Sequence, residues 1–155
     1  MTPHQFALLF EPSVRVLLDW RAIDGSDSPV EVQVAASTDD LDGWYFPWHV
    51  GQDGDETRFD DPGARPLRIL DWPQPGFTGH RKAVDAMAAS LRAFPGPVQL
   101  IVAAYALPQE GRVALDGNHR LAAIVQEGLS FRALVVTLYG PLDDAILPDL
   151  RYWAC

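Results

Sequence analysis

The chain has almost no cysteine: among its 155 residues there is one, Cys155, at the last position. A single thiol cannot form an internal disulfide, and such cysteine usage is typical of a reducing compartment. The stretch Met1–Gln5 also lacks the basic region followed by an apolar region that marks a secretory signal. No run of the sequence reaches the roughly 20 apolar residues that a membrane helix needs. We therefore expect a cytoplasmic protein that does not enter a membrane.

Basic residues are scarce as well. The chain has 12 Lys and Arg residues against 21 Asp and Glu residues, which gives a formal net charge of −9 at pH 7. Affinity for nucleic acid is built largely from Lys and Arg contacts with phosphates. We therefore do not expect nucleic acid as a partner. The length and the hydrophobic content of 48% predict one folded domain over residues 1–155.

Residues 1–66 are predicted to form an N-terminal β region. Val14–Trp20 and Val30–Ala36 are rich in β-forming residues, and the turn-forming stretch between them predicts an antiparallel hairpin. In the second run valines alternate with polar residues, so one face of that strand should be buried. The aromatic cluster at 44–48 is typical of a core, although it could also stack on a nucleobase. The acidic stretch at 53–56 is typical of a solvated loop.

Residues 67–138 show a clearer pattern. Continuous apolar runs alternate there with segments in which apolar residues recur at helical spacing. The longest apolar run predicts a strand that is buried on both faces. One more helical turn is expected between residue 141 and Pro148. In chain order, the predicted elements are a strand at Leu67–Leu70, a helix at Val84–Phe94, strands at Val98–Ala104 and Arg112–Leu115, a helix at Asn118–Glu127 that stops at Gly128, and a strand at Phe131–Leu138.

The run Asp116-Gly117-Asn118-His119-Arg120 joins a predicted strand to a predicted helix. A helix start presents free backbone N–H groups and a positive dipole end, so it attracts anions. His119 and Arg120 add donors that match phosphate oxygens. The alternative is ordinary helix capping by Asn118 with a surface ion pair. Because Arg is slightly unfavourable at a helix start, we interpret the run as a phosphate site.

Asp116 has two possible roles. It could cap the helix, or it could bind Mg²⁺ and orient His119. His80 and Arg81 start the first predicted helix, where they could simply be exposed polar residues. The four histidines show no spacing that is typical of a zinc site.

The order of these elements resembles the N-terminal domain of the ParB/sulfiredoxin-fold superfamily. The resemblance rests on a Gln-Pro loop at Gln74-Pro75, the helix that follows it, the strand from Val98, and a Gly-x-x-Arg helix start at Gly117–Arg120. It covers nearly half of the chain, residues 67–138. It implies an α+β fold with a mixed sheet and two main helices, to which the N-terminal β-hairpin is added.

The resemblance also implies nucleotide binding, with Gly117, Asn118, His119 and Arg120 around the phosphates. It places His80 and Arg81 near the same site, where they would be further phosphate contacts. Sulfiredoxins carry a catalytic cysteine where this chain has Asn118, so we do not expect sulfinic acid reduction. We expect a protein that binds ATP or another nucleotide with Mg²⁺, and that transfers a phosphoryl group to a small molecule. Asp116, Asp71 and Glu31, in that order, are candidates for the base. The alternatives are a non-catalytic module that senses a nucleotide or binds a protein, and a ParB-like DNA-binding or nuclease-like domain, against which the charge argues.

Overall fold

The computed structural model describes residues 1–154, and it is an α+β fold with four α-helices and a seven-stranded mixed sheet. The helices are α1 (Pro3–Phe10), α2 (Trp20–Asp24), α3 (Thr78–Arg92) and α4 (Asn118–Glu127). The strands are β1 (Val30–Ala35), β2 (Trp44–Val50), β3 (Glu56–Thr57), β4 (Arg65–Arg68), β5 (Val98–Ala106), β6 (Arg112–Ala114) and β7 (Phe131–Leu138). Short 3₁₀ turns lie at Thr38–Leu41, Ile69–Asp71 and Pro148–Tyr152.

The strands follow the order β1-β7-β5-β6-β2-β3, and β4 also pairs with β2. Two neighbouring pairs, β5 with β7 and β2 with β6, are parallel, and the other pairs are antiparallel. The predicted α+β class and the mixed sheet are therefore confirmed. Because β1 and β2 pair with strands of the later region, residues 1–66 and 67–138 contribute to one sheet.

Each face of the sheet has its own apolar core. On one face, α3 and α4 pack over an aromatic and aliphatic cluster that includes Phe46, Trp48 and Phe77. On the other face, α1, α2 and the C-terminal turn cover a second cluster that includes Phe6 and Tyr105. This is the expected solution for a sheet whose two faces are both apolar. None of the helices in residues 1–154 is long and apolar enough to cross a membrane.

The predicted N-terminal hairpin is wrong. Residues Val14–Trp20 do not form a strand, and β1 instead pairs with β7, from Val30 opposite Leu138 to Ala35 opposite Ala133. Asp19 accepts a hydrogen bond from the Ala22 N–H and so caps α2, which turns the chain into a helix at Trp20. Likewise, the Thr2 side chain and Gln5 form a capping box that starts α1.

The burial predictions are correct for some segments and wrong for others. Trp44, Phe46 and Trp48 are buried, which confirms the core role of the aromatic cluster. Val32 and Val34 are about half exposed, at 48% and 51%, so the predicted buried face of β1 is wrong. Other predicted elements differ in position: β4 ends at Arg68, α3 already starts at Thr78, and the last helical turn starts at Pro148 instead of ending before it. The strand β5 extends to Ala106, and it is not buried on both faces along its whole length, because Ile101 is 55% exposed. The bounds of α4 and β7 are as predicted.

The turn between β5 and β6 carries backbone strain that a substitution should relieve. Gln109 and Glu110 have φ of 58° and 63°, in the left-handed region that Asn and Gly tolerate better. We expect the double change Gln109→Asn and Glu110→Gly to raise the free energy of unfolding by about 1–2 kcal/mol. Urea unfolding measures the change. The pair Gln109→Ala and Glu110→Ala is the control, and an equal gain in this control would contradict the backbone explanation.

Candidate functional site

A cavity of about 440 Å³ lies at the start of α4. Its walls come from distant parts of the chain: residues 15–17, the end of β2, the start of α3 and the C-terminal turn. Most of the wall is apolar, with a few polar groups, which is typical of small-molecule sites. The polar lining residues are Arg15, His80, Asp116, Asn118, His119 and Asp149, and the larger apolar ones are Leu17, Trp48 and Phe59.

Helix α4 begins in this cavity without a side-chain cap. Its N-cap residue, Gly117, has φ +80°, a left-handed conformation that L side chains rarely adopt. The first hydrogen bond inside the helix runs from the Leu121 N–H to the Gly117 carbonyl. The N–H groups of residues 118–120 therefore precede the intrahelical ladder, as in any α-helix. They form the positive end of the helix dipole beside the cavity.

A hydrogen-bonded chain joins three side chains at the cavity. Glu56 Oε1 lies 2.8 Å from His80 Nε2, and His80 Nδ1 lies 3.1 Å from His119 Nε2. The carboxylate can only accept, so His80 donates through Nε2 and keeps a lone pair on Nδ1. That lone pair accepts the Nε2–H of His119. His119 Nδ1 is then unprotonated and can accept a proton.

Aromatic packing holds the central histidine of this chain. Trp48 stacks on His80 with ring centroids 3.9 Å apart, and Phe46 stacks on Trp48 at 4.2 Å. Both faces of the Trp48 indole are thus covered. The alternative in which Trp48 stacks on a nucleobase therefore does not fit this geometry, and Trp48 acts as the support of His80.

The electrostatic environment keeps His119 neutral. Burial lowers the pKa of His119 below its ordinary value of 6.5, and the neighbouring His80 lowers it further. A neutral imidazole with an unprotonated Nδ1 is a base at pH 7.

Asp116 is held by protein donors on both carboxylate oxygens. Its Oδ1 accepts from the Gly117 N–H at 2.8 Å, and its Oδ2 accepts from the Ser13 hydroxyl at 3.0 Å. No group of three His, Cys, Asp or Glu residues among residues 1–154 is arranged to hold a metal ion. A single engaged carboxylate fits an ion that arrives with ligand phosphates better than a resident ion. Mg²⁺ at Asp116 therefore stays a prediction.

Asn118 presents an acceptor that has no protein partner. Its Nδ2 donates to the Ala114 carbonyl at 3.2 Å, which fixes the orientation of the amide. Its Oδ1 is buried and has no hydrogen-bond partner within residues 1–154. A buried polar atom without a partner is costly, and such atoms need an explanation. Asn118 is among the residues that line the cavity.

Asp149 is a site residue that the sequence reasoning did not identify. It lies in the C-terminal turn between the buried residues Leu147 and Leu150, and it lines the cavity. Burial raises the pKa of Asp149 to about 6. A carboxyl group that titrates near neutral pH in an apolar cavity is a typical acid–base candidate.

This shifted pKa predicts a gain of stability in the Asp149→Asn variant. The folded pKa lies above the ordinary value of 3.8, so the charged carboxylate destabilises the fold above pH 6, and the cost vanishes as the pH falls towards 3.8. We expect the variant to be more stable than the wild type by about 2–3 kcal/mol at pH 7.5 and equally stable near pH 4. Urea unfolding at both pH values measures this. A pH-independent difference would show that the carboxylate is not the cause.

The histidine on β2 plays a structural role. His49 is 5% exposed, and burial lowers its pKa to about 4. Its folded pKa is below the ordinary value of 6.5, so it contributes stability above pH 6.5 that is lost as the pH falls towards 4. His49 is present in both the wild type and the Asp149→Asn variant, so it does not affect the difference between their free energies of unfolding.

The other predicted site residues lie elsewhere. Arg120 lines a different depression, on the sheet surface near Gln99 and Ile101. Arg81 is exposed on α3 and is not among the residues that line the cavity. Of the three candidate bases, Asp116 lines the cavity, whereas Asp71 and Glu31 line two other depressions. The structure therefore brings His80, Asp116, Gly117, Asn118 and His119 together, and it leaves Arg81 and Arg120 outside this cavity.

Two residues of the site that we did not predict, Asp149 and Glu56, have weak signals in the sequence. Asp149 is an acidic residue between apolar neighbours near a proline, which is unusual for a solvated loop. Glu56 belongs to the acidic stretch that we interpreted as solvated, and Asp53 and Asp55 of that stretch are indeed exposed. The pairing of β3 with β2 and the hydrogen bond from the Glu56 N–H to the Gly76 carbonyl bring Glu56 close to His80.

No family model, curated protein or solved structure matched this chain in the three comparisons that we made.

Proposed function

We propose that the protein binds a nucleotide in the cavity at the start of α4 and transfers a phosphoryl group from it to a small hydroxyl-bearing molecule. The observation that carries this proposal is the hydrogen-bonded chain from Glu56 through His80 to His119, which ends at the uncapped start of α4. A neutral base and the positive end of a helix share one cavity there. Phosphoryl transfer uses groups of both kinds.

The phosphates would rest on the N–H groups at the start of α4. Backbone N–H groups and the helix dipole favour a negative group at this end, and no side chain of the N-cap residue competes for them. Arg15, which lines the same cavity, supplies a positive charge. Asn118 Oδ1 would accept a hydrogen bond from a ligand hydroxyl or amino group. Mg²⁺, if it accompanies the phosphates, would neutralise their charge.

The histidine chain would take the proton of the acceptor hydroxyl. His119 Nδ1 accepts this proton as the hydroxyl oxygen attacks the terminal phosphorus. The bond from that phosphorus to the bridging oxygen breaks, and the nucleotide leaves one phosphate shorter. The imidazolium is stabilised through His80 by the Glu56 carboxylate. General base catalysis by a positioned side chain contributes typically 10²–10⁴-fold to a rate. Trp48 keeps His80 in the orientation that this chain requires.

The order of the elements supports assignment to the ParB/sulfiredoxin-like fold, which remains part of the proposal. The strands and helices from β4 to β7 follow the sequence of elements on which the resemblance rests. Gly117, the first residue of the Gly-x-x-Arg run, is a left-handed N-cap whose position carries no side-chain hydrogen bond. The Arg120 side chain lines a different depression, which departs from the expectation, so the proposed phosphate contacts are the backbone N–H groups of residues 118–120.

A thermal-shift screen tests the proposal. The ligands are ATP, ADP, CTP, GTP and inorganic phosphate, each with and without Mg²⁺, and adenosine is the matched control without phosphate. A nucleotide at about 100 times its Kd stabilises the native state by about 2.7 kcal/mol. For a chain of this length, that corresponds to a rise in Tm of about 5–10 °C. Equal shifts with adenosine and ATP, or no shift with any nucleotide, would overturn the phosphate site.

Turnover distinguishes transfer from binding alone. The nucleotide that gives the largest shift is incubated with a panel of amino acids and sugars, and the release of the dephosphorylated nucleotide is followed. Acceptor-dependent release supports a phosphotransferase. Binding without release on any acceptor would leave a non-catalytic nucleotide-binding module.

A further inference from the structure

The sheet face that carries α1 is only partly covered. On this face, Ala103 and Val136 are buried beneath the N-terminal helices. Two residues earlier on the same strands, Ile101 and Leu134 are 55% and 42% exposed. Val34 on β1 is opposite Leu134 in register, and Leu134 is opposite Ile101. These three side chains form an apolar row across three neighbouring strands.

Basic and polar side chains border this row. Gln99 and Arg132 are register partners one row further along β5 and β7, on the same face. Arg120 reaches the same depression from α4. We call this surface the open sheet face: Val34, Ile101 and Leu134 with Gln99, Arg120 and Arg132. Its depression has a volume of about 610 Å³.

The two arginines of the open sheet face are not neutralised within the chain. Among residues 1–154, neither Arg120 nor Arg132 takes part in a salt bridge, whereas Arg58, Arg68 and Arg92 each pair with a carboxylate. The chain as a whole has a net charge of −9. Two unpaired guanidinium groups at one apolar depression are therefore a local reversal of the overall charge. Such a surface selects an acidic partner by charge complementarity.

We propose that the open sheet face docks an amphipathic helix of a partner protein, with leucine-type residues on the apolar row and Glu or Asp residues against Arg120 and Arg132. Strands lie about 4.8 Å apart, so three strands span about 10 Å, which is the diameter of a helix. The neighbouring part of the same face already carries helices α1 and α2. A docked helix would extend that layer and cover side chains that now contact water. This proposal does not rest on the function proposed for the cavity.

A pair of synthetic peptides tests the proposal. The first is an 18-residue helical probe with leucines at positions i, i+3, i+4 and i+7 and glutamates beside them, and the second has lysines in place of the glutamates. We expect the full-length protein to bind the glutamate peptide at least tenfold more tightly than the lysine peptide. The double variant Arg120→Glu and Arg132→Glu should reverse this preference. The variant Leu134→Gln should weaken binding of the glutamate peptide at least tenfold.

Controls separate this surface from the rest of the molecule. Arg81→Glu, a charge reversal at an exposed position on α3, should leave the affinity for both peptides unchanged. Equal binding of the two peptides, or an unchanged preference in the double arginine variant, would overturn the proposal. Light scattering at increasing protein concentration is measured in parallel. Self-association that the double variant abolishes, without peptide binding, would assign the face to a second copy of the chain and also overturn the proposal.

Discussion

Replacement of Trp48 by alanine is expected to lower the free energy of unfolding by about 3–5 kcal/mol. The indole is 8% exposed and is stacked between Phe46 and His80, so its removal leaves a large cavity in the core beneath α3 and α4. The same change removes the support of the His80 ring. Urea unfolding measures the loss of stability, and the chemical shifts of the His80 ring in NMR spectra report the loss of the stacked indole.

Two control variants show whether the effect belongs to this position. Trp48→Phe keeps an aromatic ring in the stack and should cost much less than the alanine change. Phe94→Ala removes an aromatic ring that is 73% exposed and should change the stability by less than about 0.5 kcal/mol. A loss for Trp48→Ala as small as that for Phe94→Ala would contradict the stacking described for the site.

The change of His119 to glutamine is expected to lower the rate of phosphoryl transfer by about 10²–10⁴-fold. The glutamine amide can still donate to His80 Nδ1, but it has no basic nitrogen to accept a proton. Binding of the nucleotide rests on the backbone N–H groups of α4, so KM should change far less than kcat. Initial rates with the nucleotide and acceptor chosen by the screens measure both constants.

The pH profile adds a second readout for His119. Because burial lowers its pKa below 6.5, the wild-type rate should stay constant as the pH falls to 6.5 and decline only below it. His4→Gln is the matched control, since His4 is exposed and pairs with Asp24. A His119→Gln enzyme with the rate of the His4 variant would exclude His119 as the base.

Much of the fold between β4 and β7 could be predicted because its patterns are local. Helix α4 follows a left-handed glycine and ends at another, Gly128, so both ends are marked in the sequence. The strand β7 is an eight-residue segment of mostly apolar residues between turn signals. The N-terminal region was harder to predict. Helix caps at Thr2 and Asp19 decide the structure there, and they outweigh the β-forming residues that follow Thr2 and precede Asp19.

The site could be predicted only in part, because its chemistry depends on long-range contacts. His80 and His119 are 39 positions apart and meet only because α3 packs on α4. Glu56 reaches them through the short strand β3, which has no strong sequence signature. Asp149 lies in the last turn of the chain, far in sequence from the other residues of the site. The position of α4 on the sheet decides which depression the Arg120 side chain lines. The spacing of residues in the sequence does not predict that position.

The start of α4 can be observed directly in a ¹H–¹⁵N NMR titration of the full chain with the nucleotide chosen by the thermal-shift screen. If this helix end holds phosphate, the backbone amide signals of residues 118–120 shift in a saturable manner, and adenosine does not reproduce the shifts. The His119 ring signals should move with them, because the ring lines the same cavity. Shifts confined to other surfaces, or no shift at millimolar nucleotide, would contradict a phosphate site in this cavity.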